Sequence, residues 1–419
     1  MNEVTQAIHL RIWWFWARRL LLLCASAAVL TLLAACQTRP AIGPAERHFP
    51  QIDPSELGLE SEDLRHLVEV AEQFVADDRI VGAEMLIVKN RKTILHEAVG
   101  WSDREAGIPL KENSYYRLRS MTKPFTGTAA LMLIDRGLLR LDSRPAEYFA
   151  SWDNDRSRHI TVEQLLTHTS GFIQEGWPVP AASFDTLQGI VDVCGKQGPQ
   201  LSPGDQFTYS DVNSFTLGAL VTHLSGMPVE QFIATEILMP LGLNDTHIGY
   251  SPSEQWASQM NPTYQRDDQT KEWYKYWTPQ ESEVFPYFRA SGGLVSTITD
   301  YARWLSYWMD WINESKEDTS PSTRQLLSQR LVEAALTQHG FDQDGGYGYH
   351  WSLYGDDPLV FGHSGSDGTV AVAVPDPDVI VLFFTQSRGS DNGTVDEWFA
   401  AARALGLHRV NSEMPDESL

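Results

Sequence analysis

The sequence predicts an α+β fold in which an antiparallel β-sheet is flanked by helices and a mostly helical segment is inserted between its strands. Three observations predict it. A helix-periodic stretch and two β-rich runs open the folded part of the chain, and the middle is mostly helical and loop-like. Strand-like runs and a last helix then close it. Placing both ends of the chain on one sheet leaves the middle, about 125–290, as the insertion.

Each element has its own signal. From Ser61 to about Ala76, apolar residues recur at Leu64, Leu67, Val68, Ala71 and Val75, the spacing of an amphipathic helix. Gly82–Lys89 and Thr93–Gly100 are β-rich and flank Asn90-Arg91-Lys92, which reads as a hairpin. A helix from Ser120 to about Asp135 is closed by Gly137. Pro124 fits only in its first turn, so its start lies near Ser120. The middle carries helical stretches at Thr161–Thr167, Val212–Ser225 and Val229–Glu236. Tyr347–Tyr354, Leu359–His363, Thr369–Val374 and Val379–Gln386 then read as strands, and Val395–Ala404 as a helix. The domain spans 54–410, and the acidic tail 411–419 is expected to be loose.

At 42% hydrophobic residues, the 419-residue chain can bury a sizeable core. A formal net charge of -23 repels phosphate backbones, so no nucleic-acid partner is expected. Residues 1–35 read as a signal peptide: Arg11, Arg18 and Arg19 precede an uncharged apolar run from Leu20 to Ala35. That run ends in Leu33-Ala34-Ala35-Cys36, which resembles the bacterial lipobox. The resemblance implies a lipid anchor on Cys36 and a place in the bacterial cell envelope, on the periplasmic side of the outer membrane. Residues 36–53 read as a tether. Beyond Cys24 and Cys36 only Cys194 remains, too few for a disulfide or a multi-cysteine metal site, and it reads as a packed small residue. No metal and no cofactor is expected.

Three segments carry chemistry. In Ser120-Met121-Thr122-Lys123, a three-residue spacing on a first helical turn puts hydroxyl and amine on one face. A serine is a poor nucleophile until a neighbour takes its proton, and a partly desolvated lysine can do so. Tyr209-Ser210-Asp211 opens a helix after Pro203-Gly204. A tyrosine beside a cation can act as base and then as acid; the alternative is a buried aromatic with Asp211 as helix N-cap. Phe361-Gly362-His363-Ser364-Gly365-Ser366-Asp367-Gly368 joins two strands. Its glycines let a substrate lie against the strand edge, with a backbone N–H beyond Gly365 facing an oxyanion; the alternative is an ordinary glycine-rich hairpin.

In this order the three segments resemble the serine β-lactamase and penicillin-binding-protein superfamily, closest to its class C-like branch with carboxylesterases and D-amino-acid peptidases. Arg117-Leu118-Arg119, Leu165-Leu166-Thr167-His168-Thr169-Ser170-Gly171, Pro240-Leu241-Gly242-Leu243, and Ser291-Gly292-Gly293-Leu294 before a helix at Asp300–Trp311 match as well. The resemblance covers about 54–408 and implies the β-lactamase/transpeptidase-like fold. It implies an acyl-enzyme on Ser120, a proton shared by Lys123 and Tyr209, and an oxyanion hole from the backbone N–H groups of Ser120 and Ser366. His363 stands where many relatives carry lysine, and Asp211 where many carry asparagine. A neutral histidine gives up a fixed charge that would hold a substrate carboxylate, and Asp211 favours protonated Lys123. The expected substrate is therefore a small molecule or peptide with an ester or amide bond, esters favoured. A D-amino-acid peptidase or β-lactamase on cell-wall-like substrates is the alternative within catalysis, and a non-catalytic binding module the alternative outside it.

Other signals are set aside. Ser390-Asp391-Asn392 falls after His363, the wrong order for a β-lactamase motif. No Gly-x-Ser-x-Gly elbow, zinc-protease helix or phosphate-binding loop occurs. His168 reads as structural. Trp273-Tyr274-Lys275-Tyr276-Trp277 reads equally as a pocket wall or as packing.

Overall fold

The structure, a computed structural model, describes residues 49–407 except 175–179, 283, 314–325, 343–344, 357–358 and 390–391. The signal segment, Cys36, most of the tether, the tail and the first two residues of Ser390-Asp391-Asn392 lie outside the described residues.

Among the described residues, nine antiparallel strands form the main sheet. In chain order they are β1 (Gly82–Lys89), β2 (Lys92–Asp103), β3 (Ile108–Pro109), β4 (Gly340–Asp342), β5 (Gly345–Tyr347), β6 (Ser352–Asp356), β7 (Leu359–Gly365), β8 (Thr369–Val374) and β9 (Val379–Thr385). Their order across the sheet is β3-β2-β1-β9-β8-β7-β6-β5-β4, so the two ends of the chain meet where β1 pairs with β9, Leu86 opposite Leu382. This is the α+β layout the sequence predicts.

Strands β8 and β9 are buried along their whole length because both faces of the sheet are covered. On one face lie α1 (Ser61–Ala76) and the C-terminal helix Asn392–Ala404. Leu64, Leu67, Ala71 and Phe74 of α1 join Trp398, Phe399 and Ala402 against Met85, Ile87, Val381 and Phe383. The opposite face meets the helix Ile298–Asn313, which follows the inserted part, through Tyr301, Trp304 and Trp308, packed with Leu86, Leu382 and Phe384. Each fully buried side chain of this size contributes about 1.5–3 kcal/mol.

Within the insertion, α2 (Lys123–Asp135) and α3 (Asp211–Ser225) lie side by side and are buried on almost every face. Both run apolar rather than amphipathic, as interior helices do. The segment is less purely helical than expected. It also holds the strand pair Thr263–Arg266 and Trp273–Trp277, and the strand His247–Ile248, which pairs with Leu294–Ser296. Among the described residues no helix is long and apolar enough to cross a membrane.

Three local expectations need correction. The α-helix begins at Lys123, and Ser120 lies in a tighter 3-10 turn, Arg119–Thr122, that precedes it. Asp211 is not the N-cap of α3, because Ser210 caps it by accepting from the Val212 N–H. The run Tyr347–Tyr354 is not one strand: it folds back between β5 and β6 at His350, which takes a φ of +59°. There the Gly348 N–H donates to the Trp351 carbonyl at 2.8 Å, and the His350 N–H to the Leu166 carbonyl at 3.0 Å.

Candidate active site

Ser120 lies on the turn that feeds α2, beneath the end of β7. The strand comes close because Gly365 has no side chain. A Cβ there would stand 2.4 Å from the Leu118 carbonyl oxygen and 2.5 Å from Thr369 Oγ1. The turn is strained, since Arg119 takes a φ of +50°, a region that costs a bulky residue about 1–3 kcal/mol. Ser120 itself is partly exposed.

Lys123 is fully buried, and its neighbours define the site. Its ammonium donates to Ser120 Oγ at 3.1 Å, to Asp211 Oδ1 at 2.7 Å and to the Ser291 carbonyl at 3.4 Å. The Tyr209 ring lies over it, with Nζ 4.4 Å from the centroid. A cation over an aromatic face, desolvated, is held by the ring quadrupole. Residues 120, 123, 209 and 211 are thus brought together, with Tyr209 meeting the ammonium through its ring face rather than its hydroxyl.

Asp211 is shared between two cations, because Arg289 donates to its other oxygen at 3.1 Å. Burial alone raises the carboxyl pKa, but Lys123 and Arg289 outweigh it and hold Asp211 well below the usual carboxylate range. The Asp211 N–H donates to Gln174 Oε1 at 2.8 Å, which fixes the first residue of α3.

Three histidines surround this ion pair, all fully buried. Burial is the main reason each is hard to protonate, and the Lys123 charge adds to it. His363 and His350 are pushed down to about 3, and His168 well below its ordinary value. His363 faces the Ser364 carbonyl through Nδ1 at 2.8 Å, so the proton sits there, and Nε2 accepts from the Tyr347 hydroxyl at 3.2 Å. The Tyr209 and His363 rings are 6.4 Å apart.

His168 is structural, as expected. Its Nδ1 accepts from the Ser210 N–H at 3.0 Å and lies 2.8 Å from Asn213 Nδ2, while its carbonyl accepts from the Thr208 N–H at 2.7 Å. It therefore grips the backbone on both sides of Tyr209, and its ring stacks on Tyr209 at 4.6 Å. His350 donates from Nδ1 to the Lys123 carbonyl at 3.0 Å, and Gly127 makes room for it. Ser291-Gly292-Gly293-Leu294 wraps the start of α2, with the Leu294 N–H donating to Thr122 Oγ1 at 3.1 Å.

Ser366 is exposed at the turn between β7 and β8, where the Gly368 N–H donates to the Gly365 carbonyl at 2.8 Å. Cys194 is buried, and burial pushes its thiol up to about 12, so it is inert packing. In the aromatic stretch, Trp273 and Trp277 are core residues, and the Tyr276 hydroxyl accepts a short hydrogen bond from Arg119. Sequence reasoning missed Arg289, Gln174, Tyr347 and His350. The one available signal was Arg289, two residues before the Ser291-Gly292-Gly293 segment.

A two-sided antiparallel sheet with a helical insertion and a buried lysine behind a partly exposed serine defines the serine β-lactamase and transpeptidase class, whose members work through an acyl-enzyme. The chain belongs to the beta-lactamase family, which it matches over residues 67–405. It is 27% identical over 378 residues to Protein Rv1367c of Mycobacterium tuberculosis, covering 80% of this chain and 92% of that one. Esterase EstB of Burkholderia gladioli is 29% identical over 243 residues, 52% of this chain and 61% of EstB. The D-amino acid amidase of Ochrobactrum anthropi SV3, solved in complex with D-phenylalanine, has the same fold at a TM-score of 0.66. It is 20% identical, over 82% of this chain and 99% of the amidase.

Proposed function

We propose that this chain is a serine hydrolase that forms an acyl-enzyme on Ser120 and takes esters in preference to amides. The observation that carries the reading is the hydrogen bond from buried Lys123 to Ser120 Oγ at 3.1 Å, beneath the Tyr209 ring. In this cycle Ser120 Oγ attacks the substrate carbonyl while its proton passes to the Lys123–Tyr209 pair. The backbone N–H groups of Ser120 and Ser366 receive the oxyanion. The bond to the leaving alcohol breaks, the alkoxide takes the proton back, and water then cleaves the acyl group from Ser120.

Two features favour esters. Asp211 lies against Lys123 and favours its ammonium form, so little free base is present near neutral pH, and an ester, more readily attacked than an amide, tolerates that. His363 is neutral with Nε2 occupied by Tyr347, so it offers no fixed cation for a substrate carboxylate. Similarity to EstB supports this reading, and the fold shared with the D-amino acid amidase keeps amides as its nearest competitor.

A fluorescent fluorophosphonate should label the chain but not Ser120→Ala, and p-nitrophenyl ester turnover should fall at least about 1,000-fold in that variant. Equal labelling of both proteins sinks the reading. Faster turnover of nitrocefin or D-alanyl peptides than of esters moves the substrate class to cell-wall-like compounds.

The sequence before the domain supports a second proposal, that the chain is exported and lipid-anchored through Cys36 at the bacterial envelope. Radiolabelled palmitate should enter the expressed chain and not Cys36→Ser, which should leave the membrane fraction. No incorporation into the unaltered chain rules the anchor out.

A further inference from the structure

Arg119 and Asp367 are 248 residues apart in sequence, yet Arg119 Nε donates to Asp367 Oδ2 at 2.5 Å. Both are almost fully buried, their side chains 8% and 3% exposed. Their positions along the chain give the pair its meaning: Arg119 immediately precedes Ser120, and Asp367 immediately follows Ser366. The two residues whose N–H groups form the oxyanion hole in the reading above are thus each one peptide bond from an end of this ion pair.

We propose that the Arg119–Asp367 pair is a positioning device that sets the separation of the Ser120 and Ser366 N–H groups. The inference rests on the Ser120 acyl-enzyme reading and deepens it. The device is braced from two other segments. Tyr276 accepts from Arg119, and Arg388 lies 3.7 Å from Asp367 Oδ1 and donates to the Tyr276 hydroxyl at 3.5 Å. The nucleophile turn, the β7–β8 turn, the strand Trp273–Trp277 and the segment after β9 are therefore tied at one point.

Two features show that the turn needs such a tie. Arg119 holds a φ of +50°, which an arginine adopts only when its surroundings over-determine it. The β7–β8 turn is closed by Gly368 at a φ of +100°, and by itself it has no connection to the nucleophile. The close approach of Gly365 to Leu118 brings the two turns together, and the ion pair fixes their offset. Donors preorganised to a few tenths of an ångström act only where negative charge develops, so loosening them slows the chemical step and leaves substrate binding largely untouched.

The test uses Asp367→Asn, Arg119→Lys and the double variant in the full chain in detergent, with fluorophosphonate labelling and p-nitrophenyl ester kinetics. Labelling forms the Oγ–P bond, breaks the P–F bond and releases fluoride, with the serine proton passing to the site's base, so its rate reads the same N–H groups. Asp367→Asn should lower kcat and the labelling rate by about 10- to 100-fold, with KM changed by less than about 2-fold. The double variant should be no slower than the slower single one, as expected when both changes break one contact. Denaturant midpoints correct for folding. An unaltered chain that does not label at Ser120 overturns the acyl-enzyme reading and this inference with it. An unaltered chain that labels, with Asp367→Asn labelling equally fast or losing only KM, overturns this inference alone.

Discussion

Asp211 carries more of the site's electrostatics than its place at the head of α3 suggests. Its two oxygens take one ammonium and one guanidinium, at 2.7 and 3.1 Å, where little water reaches. Asparagine would keep the shape and remove the charge. Lys123 would then face Arg289 with no negative charge between them, and both the lost attraction and the unscreened repulsion favour neutral lysine. We therefore expect Asp211→Asn to move the acidic limb of the kcat/KM profile for ester substrates to lower pH by about one unit or more. Breaking a buried pair should also cost about 3 kcal/mol of stability in urea titrations. An acidic limb that stays in place would show that Lys123 does not exchange its proton during the cycle.

At the scale of elements, what the sequence revealed depended on whether the cause was local. The helix Ser61–Ala76 was legible because its apolar spacing and its burial on one face are the same fact. Strands β8 and β9 were legible for a similar reason, since their side chains are apolar on both faces and turn residues bound them. The run Tyr347–Tyr354 misled because its fold-back is set from outside. His350 is held by the Leu166 carbonyl through its N–H and by the Lys123 carbonyl through its ring, contacts 184 and 227 residues away in sequence. The same holds for the site. Ser120 and Lys123 are three residues apart and could be read directly. Arg289 reaches Asp211 across 78 residues and Tyr347 reaches His363 across 16, with only tertiary packing to say so. The tight turn at Ser120 also escaped periodicity, because it is imposed by the close approach of β7 and by the Arg119–Asp367 bond.

For the whole molecule, burying three neutral histidines around one cation has a consequence for stability. His168, His350 and His363 titrate near 6.5 in an unfolded chain, whereas in the folded chain His350 and His363 are pushed to about 3 and His168 is lowered as well. Below about pH 6.5 the unfolded chain therefore binds protons that the folded chain cannot, and acid favours unfolding. This contribution is complete above pH 6.5 and is lost as pH falls toward the folded values. Asp211, also lowered in the folded chain, acts in the same direction but only below about pH 4. Each histidine adds about 1.4 kcal/mol per pH unit, so the three together add about 4. Against a total stability of roughly 5–15 kcal/mol this is a large loss, offset in part at lower pH by Glu84, Asp300 and Asp378, whose carboxyls burial raises so that the folded chain takes up protons before the unfolded one does. Urea titrations at pH 7.5, 6.5, 5.5 and 4.5 should show this slope, and His350→Asn should reduce it by about a third whatever that change does to stability at pH 7.5. A free energy that stays flat from pH 7.5 to 5 would mean that the histidines take up protons inside the folded chain. The neutral cage around Lys123, with the ester preference argued from it, would then fail.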